Sequence, residues 1–181
     1  MVSRTSRTTP EIHDNRDNGA MSKLDVSSNS IRSEGCSALA GILNQSSITD
    51  LNIASNDLTC NAQGKRGVMD GIIKLAGVME DNGAMSILNI MGNKFGKEQL
   101  EKFKAIKESK SLQSICGIAS DATEANLSGL GMDAADAAVL AEDIQDKGAL
   151  SKLDIKNNDI DEERKAEIQQ TCDLNSITCL L

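Results

Sequence analysis

The chain has 181 residues, a formal net charge of −8, and a composition that is 39% hydrophobic but only 1% aromatic. That length suits one domain with its own core, and the acidity argues against general binding to nucleic acid or anionic membranes. No stretch approaches the ~20 apolar residues of a membrane span, and with only Phe95 and Phe103 as aromatics the core must be filled by layers of aliphatic side chains.

Residues 1–16 (MVSRTSRTTPEIHDNR) are rich in Ser, Thr and Arg and lack apolar periodicity. They read as a mobile tail ahead of a domain at 17–181. No apolar h-region follows the start, so a secretory signal is not expected. From residue 17 one line recurs: DNGAMSKLDVSSNSI at 17–31, DNGAMSILNIMGNKF at 81–95 and DKGALSKLDIKNNDI at 146–160. Aligned on the spacing L-x-x-L-x-L-x-x-N-x-L, the copies place Met21, Leu24, Val26, Asn29 and Ile31 in register with Ile48, Leu51, Ile53, Asn56 and Leu58. Met85, Leu88, Ile90, Asn93 and Phe95 follow, then Leu150, Leu153, Ile155, Asn158 and Ile160. The step from Met21 to Ile48 is 27 residues, as is that from Leu150 to Ile177, where Ile177 and Leu180 open a further strand. A period in the twenties marks stacked coils.

Each copy begins as a strand with one buried face, because apolar residues alternate around Leu24-Asp25-Val26. The Asn falls where the chain leaves the strand; its amide both donates and accepts, so it can satisfy backbone groups of the turn. Helical patterns follow: Gly35, Leu39 and Leu43 with Ala38 and Ile42; Gly71, Leu75 and Met79; Leu140 and Ile144; Ile168 and Cys172. Two places depart from the period. Ile48 to Met85 spans 37 residues, and the excess near 59–68 (TCNAQGKRGV), with Lys65 and Arg66, predicts a protruding loop. In 111–132, Leu112 is in register for a strand, yet Ala122, Ala125, Leu127, Leu130 and Met132 fit as well, with Leu130 where an Asn belongs. Two squeezed strands, as in a hairpin, or one irregular strand would both satisfy this pattern.

Over residues 17–181 these copies resemble the leucine-rich-repeat family, and in particular its long-repeat, ribonuclease-inhibitor-like subfamily with repeats of about 28 residues. The resemblance implies an α/β solenoid: a short arc with an inner parallel sheet and outer helices. It implies a non-catalytic protein–protein interaction module, an adaptor or an assembly subunit of a larger complex. Members of the family also regulate a small GTPase or cap actin filaments, and these are the alternatives. The partner expected is another protein, with no nucleic acid and no membrane insertion.

The residues themselves carry no nucleophile elbow, P-loop, HExxH or EF-hand loop. No catalytic residue, metal or cofactor is therefore expected, and the single His13 lies in the tail. Five cysteines, an odd number without CxxC spacing, read as free thiols used as small apolar residues. They suit the cytoplasm or another reducing compartment rather than secretion. The family binds partners on the sheet face away from the helices. Residues that alternate with the buried positions point there, and the candidates are Lys23, Asp25, Asp50, Asn52, Ile87, Asn89, Met91, Lys152, Asp154 and Lys156. Ile87 and Met91 stand out as an apolar pair on a polar face. The Lys-rich run at 94–110 is a solvated helix face or, less simply, a second docking patch.

Overall fold

The computed structural model describes residues 21–110 and 112–181. The tail at 1–16, with His13, and the start of the first repeat lie outside the described residues. Strands and helices alternate: β1 (Lys23–Asp25), α1 (Arg32–Leu43), β2 (Asp50–Asn52), α2 (Asp70–Asp81), β3 (Ile87–Asn89), α3 (Lys97–Lys110), β4 (Glu124–Asn126), α4 (Ala134–Asp143), β5 (Lys152–Asp154), α5 (Glu162–Leu174) and β6 (Thr178–Leu180). A 3-10 turn at Ile144–Asp146 extends α4. All strand pairings are parallel, and each strand but the last is followed by a helix that returns the chain to the same end of the sheet.

The repeated Asn builds the stack. Asn56 Nδ2 donates to Val26 O of the preceding coil at 2.9 Å and to Ala54 O at 3.0 Å, while its Oδ1 accepts from Asn29 N at 3.0 Å. Asn93 does the same one coil on, donating to Ile53 O at 3.0 Å and Ile90 O at 2.8 Å and accepting from Asn56 N at 2.8 Å. Asn158 accepts from Met132 N at 3.0 Å. The turns around these residues use left-handed backbone: Ser28 and Ser30 beside Asn29, Ser55 and Asp57 beside Asn56, Gly92 and Lys94 beside Asn93. That conformation costs an ordinary residue about 1–2 kcal/mol, so the amide that satisfies the turn also holds it in place.

The sheet is broken in the middle. β1-β2-β3 form one sheet and β4-β5-β6 another. Residues 112–118 take the place a strand would fill beside β3. Gln113 N donates to Ser86 O, Leu88 N to Ser114 O and Gly117 N to Leu88 O, and Ile87 and Asn89 bridge to Ser114 and Cys116. The segment then turns away, and 122–132 supplies β4. The sequence patterns in 111–132 are thus an irregular pseudo-strand followed by a regular one, not a hairpin.

The break coincides with the missing Asn. With Leu130 at that position, the ladder from Asn93 has no amide to meet. Asp136, at the start of α4, replaces it: its Oδ2 accepts from Gly92 N at 3.1 Å and Asp133 N at 3.2 Å, while Asp133 caps α4 by accepting from Ala135 N and Asp136 N. The two halves touch closely here. A methyl group added to Gly92, whose φ is +70°, would lie 1.9 Å from Leu130 O, and Ser55 Oγ donates to that same carbonyl at 2.6 Å.

Asp136 is buried, and among the described residues its Oδ1 has no hydrogen-bond partner. Burial, and then the Asp133 carboxylate beside it, pushes its pKa from 3.8 up to about 6. The folded value lies above the unfolded one, so protonation favours the fold: the stabilisation is full below 3.8 and lost as pH rises through about 6. Urea unfolding should therefore show stability higher at pH 5 than at pH 7 by about 1.3 kcal/mol from this group. Asp136→Asn should remove that slope; a slope that persists in the variant would refute the assignment. Asp25 and Glu34, whose values are lowered, lose their contributions only at lower pH.

Several expectations about packing need correction. Met91 is not on the open face: it is 0% exposed and part of the core. Asn89 is also buried, at 6% exposure. The reason is the 112–130 segment, which covers the end of β3; a Cβ on Gly117 would lie 2.8 Å from Asn89. A charge introduced at Met91 would enter the core instead of probing a surface. The buried stripe of α1 is Ser33, Cys36, Ala40 and Leu43, with Leu39 half-buried and Ala38 and Ile42 exposed, because α2 packs against its Ser33–Cys36 side. There the helices approach so closely that a Cβ on Gly71 would meet Ser33 O at 2.2 Å. The stripes of α2, α4 and α5 are as the spacing predicts. In the last coil, Leu153 pairs with Cys179, not with Leu180, so the register slips by one residue and Leu180 leaves the core row.

Residues 60–66 form the protruding loop as a small hairpin. Cys60 bridges Arg66, and the Asn61 side chain accepts from Gln63 N and Lys65 N.

Candidate functional site

The open face of β1–β3 brings together several of the candidate residues. Alternation along each three-residue strand turns Lys23, Asp25, Asp50, Asn52 and Ile87 away from the helices. Lys23, Asp25, Asp50 and Asn52, with Asn89 and Gly117, line a groove of about 380 Å³ floored by Leu24. Gly117 belongs to the segment that covers β3, so the irregular stretch forms one wall of the groove.

Its polar groups are already tied to one another. Asp25 Oδ1 accepts from Ser27 N at 2.9 Å and Ser27 Oγ at 2.7 Å, and its Oδ2 accepts from Asn52 Nδ2 of the next strand at 3.0 Å. These bonds, the Ser27 backbone N–H first, hold the Asp25 carboxyl below its ordinary pKa. Lys23 Nζ lies 3.2 Å from Asp50 Oδ2 across the same pair of strands. The result is a fixed row of donors and acceptors across two strands.

The other candidate residues are apart from this groove. Lys152 and Asp154 lie on the second sheet and Lys156 just past it; Lys152 Nζ pairs with Glu124 Oε2 at 3.2 Å, and Asp154 Oδ1 accepts from Lys156 N at 3.0 Å. Ile87 is half-buried beside Ser114. The Lys-rich α3 is largely committed to its neighbours. Lys104 Nζ pairs with Glu142 Oε2 at 2.6 Å, Lys107 pairs with the buried Asp143, and Lys102 reaches Glu80 of α2 at 3.4 Å. Sequence reasoning missed Gly117 as a groove residue; its only signal was a glycine inside a strand-like apolar run.

Among the described residues, no cluster of three or more His, Cys, Asp or Glu side chains could hold a metal ion, and no helix is long and apolar enough to cross a membrane. Parallel strands, alternating with helices and tied by an Asn ladder, define the class: an α/β protein whose fold is consistent with the leucine-rich-repeat type. Residues 18–40, which reach from β1 into α1, match the Leucine Rich repeat family. No curated protein matches the chain. Leucine-rich repeats generally mediate protein–protein interaction.

Proposed function

We propose that this chain is a non-catalytic protein-interaction module, an adaptor or assembly subunit working in a reducing compartment. It docks a protein partner on the open face of β1–β3. The observation that carries this reading is the fixed carboxylate of Asp25. Three bonds orient it, so a partner's N–H or guanidinium group meets an acceptor that loses little freedom on binding. The groove lacks aromatic anchors, which fits a polar contact rather than an apolar plug. The long-repeat subfamily and the arc-shaped solenoid belong to the same reading and are supported by the period of 27 between equivalent positions.

Crosslinking and capture from the native source tests it. Asp25→Arg, at an exposed position, should leave the chain folded with at most a small drop in melting temperature and reduce capture of the partner at least tenfold. Lys156→Glu, just past the second sheet, should leave capture intact. Undiminished capture by Asp25→Arg, together with loss in Lys156→Glu, would move the contact to the other sheet and end this proposal.

A further inference from the structure

The third residue of each strand from β1 to β5 repeats one device. Asp25, Asn52, Asn89, Asn126 and Asp154 each turn a side-chain oxygen back to accept from the backbone N–H two residues on, at 2.9–3.1 Å. The second polar atom of the side chain is then left for the open face. In β2 it is used within the sheet: Asn52 Nδ2 donates to Asp25 Oδ2 at 3.0 Å. In β3 it is not. Asn89 is 6% exposed and lines the groove, yet among the described residues its Nδ2 donates to no acceptor. Gly117 keeps that amide open, since a Cβ there would stand 2.8 Å from Asn89 Nδ2. A buried donor without an acceptor is costly, and a ligand that supplies the acceptor recovers the cost.

The acceptors lie across the groove. A carboxylate has about four acceptor sites, and Ser27 and Asn52 fill three of those on Asp25. Asp50, one residue pair away on the next strand, holds Lys23 Nζ at 3.2 Å through its Oδ2. Lys23 offsets only one of the two carboxylates, and its side chain is 76% exposed. The groove therefore stays negative in a chain whose net charge is −8. A guanidinium carries its donors in a planar fork and has no acceptor, so it can serve two carboxylates at once, which a point-like ammonium does less well. Two strand spacings of about 4.8 Å each separate Asp25 from Asn89. That span is within the reach of an extended arginine, from its guanidinium to its own carbonyl.

We propose that the groove takes one arginine of an extended partner segment, with the guanidinium between Asp25 and Asp50 and the arginine's main-chain carbonyl on Asn89 Nδ2. The inference rests on the docking face proposed above and names the residue that this face reads. The carbonyl gives Asn89 the acceptor it lacks, and the guanidinium neutralises the carboxylate that Lys23 does not. The aliphatic stem of the arginine lies over Leu24, at the groove floor. Lysine fits less well, because its single ammonium cannot bridge both carboxylates in a fixed plane.

The probe is a single blocked arginine, N-acetyl-arginine methylamide, added to the isotope-labelled full chain while backbone and side-chain amides are followed by NMR. Saturable shifts should appear at the Asn89 and Asn52 side-chain amides, and the Asn126 side chain of the second sheet should not move. Blocked citrulline, which has the same shape without the charge, should shift neither amide at the same concentration. Asp25→Asn keeps its turn, as Asn52 does in β2, and should weaken blocked arginine about tenfold. Asn89→Asp keeps the turn, as Asp154 does in β5, but removes the donor. Blocked arginine should there lose its advantage over methylguanidinium, which has no carbonyl. The inference is overturned by a blocked arginine that shifts neither Asn89 nor Asn52, by equal binding of blocked citrulline, or by undiminished affinity in Asp25→Asn. Capture lost in Asp25→Arg without any arginine response ends this inference alone. An arginine response with capture undiminished ends the docking reading alone.

Discussion

Asp143→Ala should cost the fold about 3–5 kcal/mol, the range seen when one partner of a buried charge pair is removed. Asp143 is 1% exposed near the end of α4. Its carboxylate pairs with Lys107 of α3, lies 3.8 Å from Lys147 Nζ, and accepts from Ser114 Oγ at 2.6 Å. Ser114 Oγ in turn accepts from Cys116 N at 2.9 Å and Ile118 N at 3.0 Å, and Lys147 donates to Gln113 O. One side chain thus joins α3, α4 and the irregular segment across the break between the sheets. Without it Lys147, 4% exposed and with its pKa already lowered by burial, is left without its anion. Urea unfolding should show the loss, and hydrogen exchange should show Cys116 and Ile118 amides opening first. Asp143→Leu combined with Lys147→Met removes both charges and should recover part of the stability. A cost below about 1 kcal/mol for Asp143→Ala would show that the network does not hold the junction.

The regular part of this fold was legible because each coil repeats the same solution. A period of 27 set the strands, alternation set the open face, and the Asn position foretold the ladder, since an amide at the strand exit has few other uses. Lys23, Asp25, Asp50 and Asn52 were placed by the same rule. The errors fall where the period fails. Met91 occupies an open-face position by alternation, but non-repeating chain covers it. Asp143 and Asp136 carry no sequence pattern that marks them as buried, and each accepts from a group at least 29 residues away in sequence. One signal was present: an Asn ladder that reaches Leu130 needs another acceptor, and Asp136 is the first buried acid beyond it. The α1 stripe departs from its apolar spacing because small residues, Ser33, Cys36 and Ala40, allow α2 to approach. Leu39 and Ile42 look more apolar yet lie away from that contact.

The ladder itself should be graded, and Asn93→Ala is its most severe test. Asn93 is fully buried. Truncation leaves Ile53 O and Ile90 O without the amide donor, and Asn56 N without its acceptor. A buried polar group stripped of its partner costs about 1–3 kcal/mol, so with relaxation the total should reach about 3–5 kcal/mol. The left-handed Gly92 and Lys94 on either side would lose the group that holds their turn. Asn29 makes the same kind of turn, bonding Val26 O at 3.0 Å and Ser27 O at 2.8 Å, but it is exposed. Water can replace its amide, and Asn29→Ala should cost no more than about 1 kcal/mol. Asn158, half-buried and bonded to Leu127 O, Ile155 O and Met132 N, should fall between them. Asn93→Asp separates the two functions of the amide: it keeps the acceptor for Asn56 N, loses both donations, and brings a charge into the core. It should be no better tolerated than Ala. The order of urea midpoints, Asn29→Ala above Asn158→Ala above Asn93→Ala, follows from burial alone. If the three variants unfold at the same midpoint, the amides do not carry the turns, and the coils are held by the apolar rows between them.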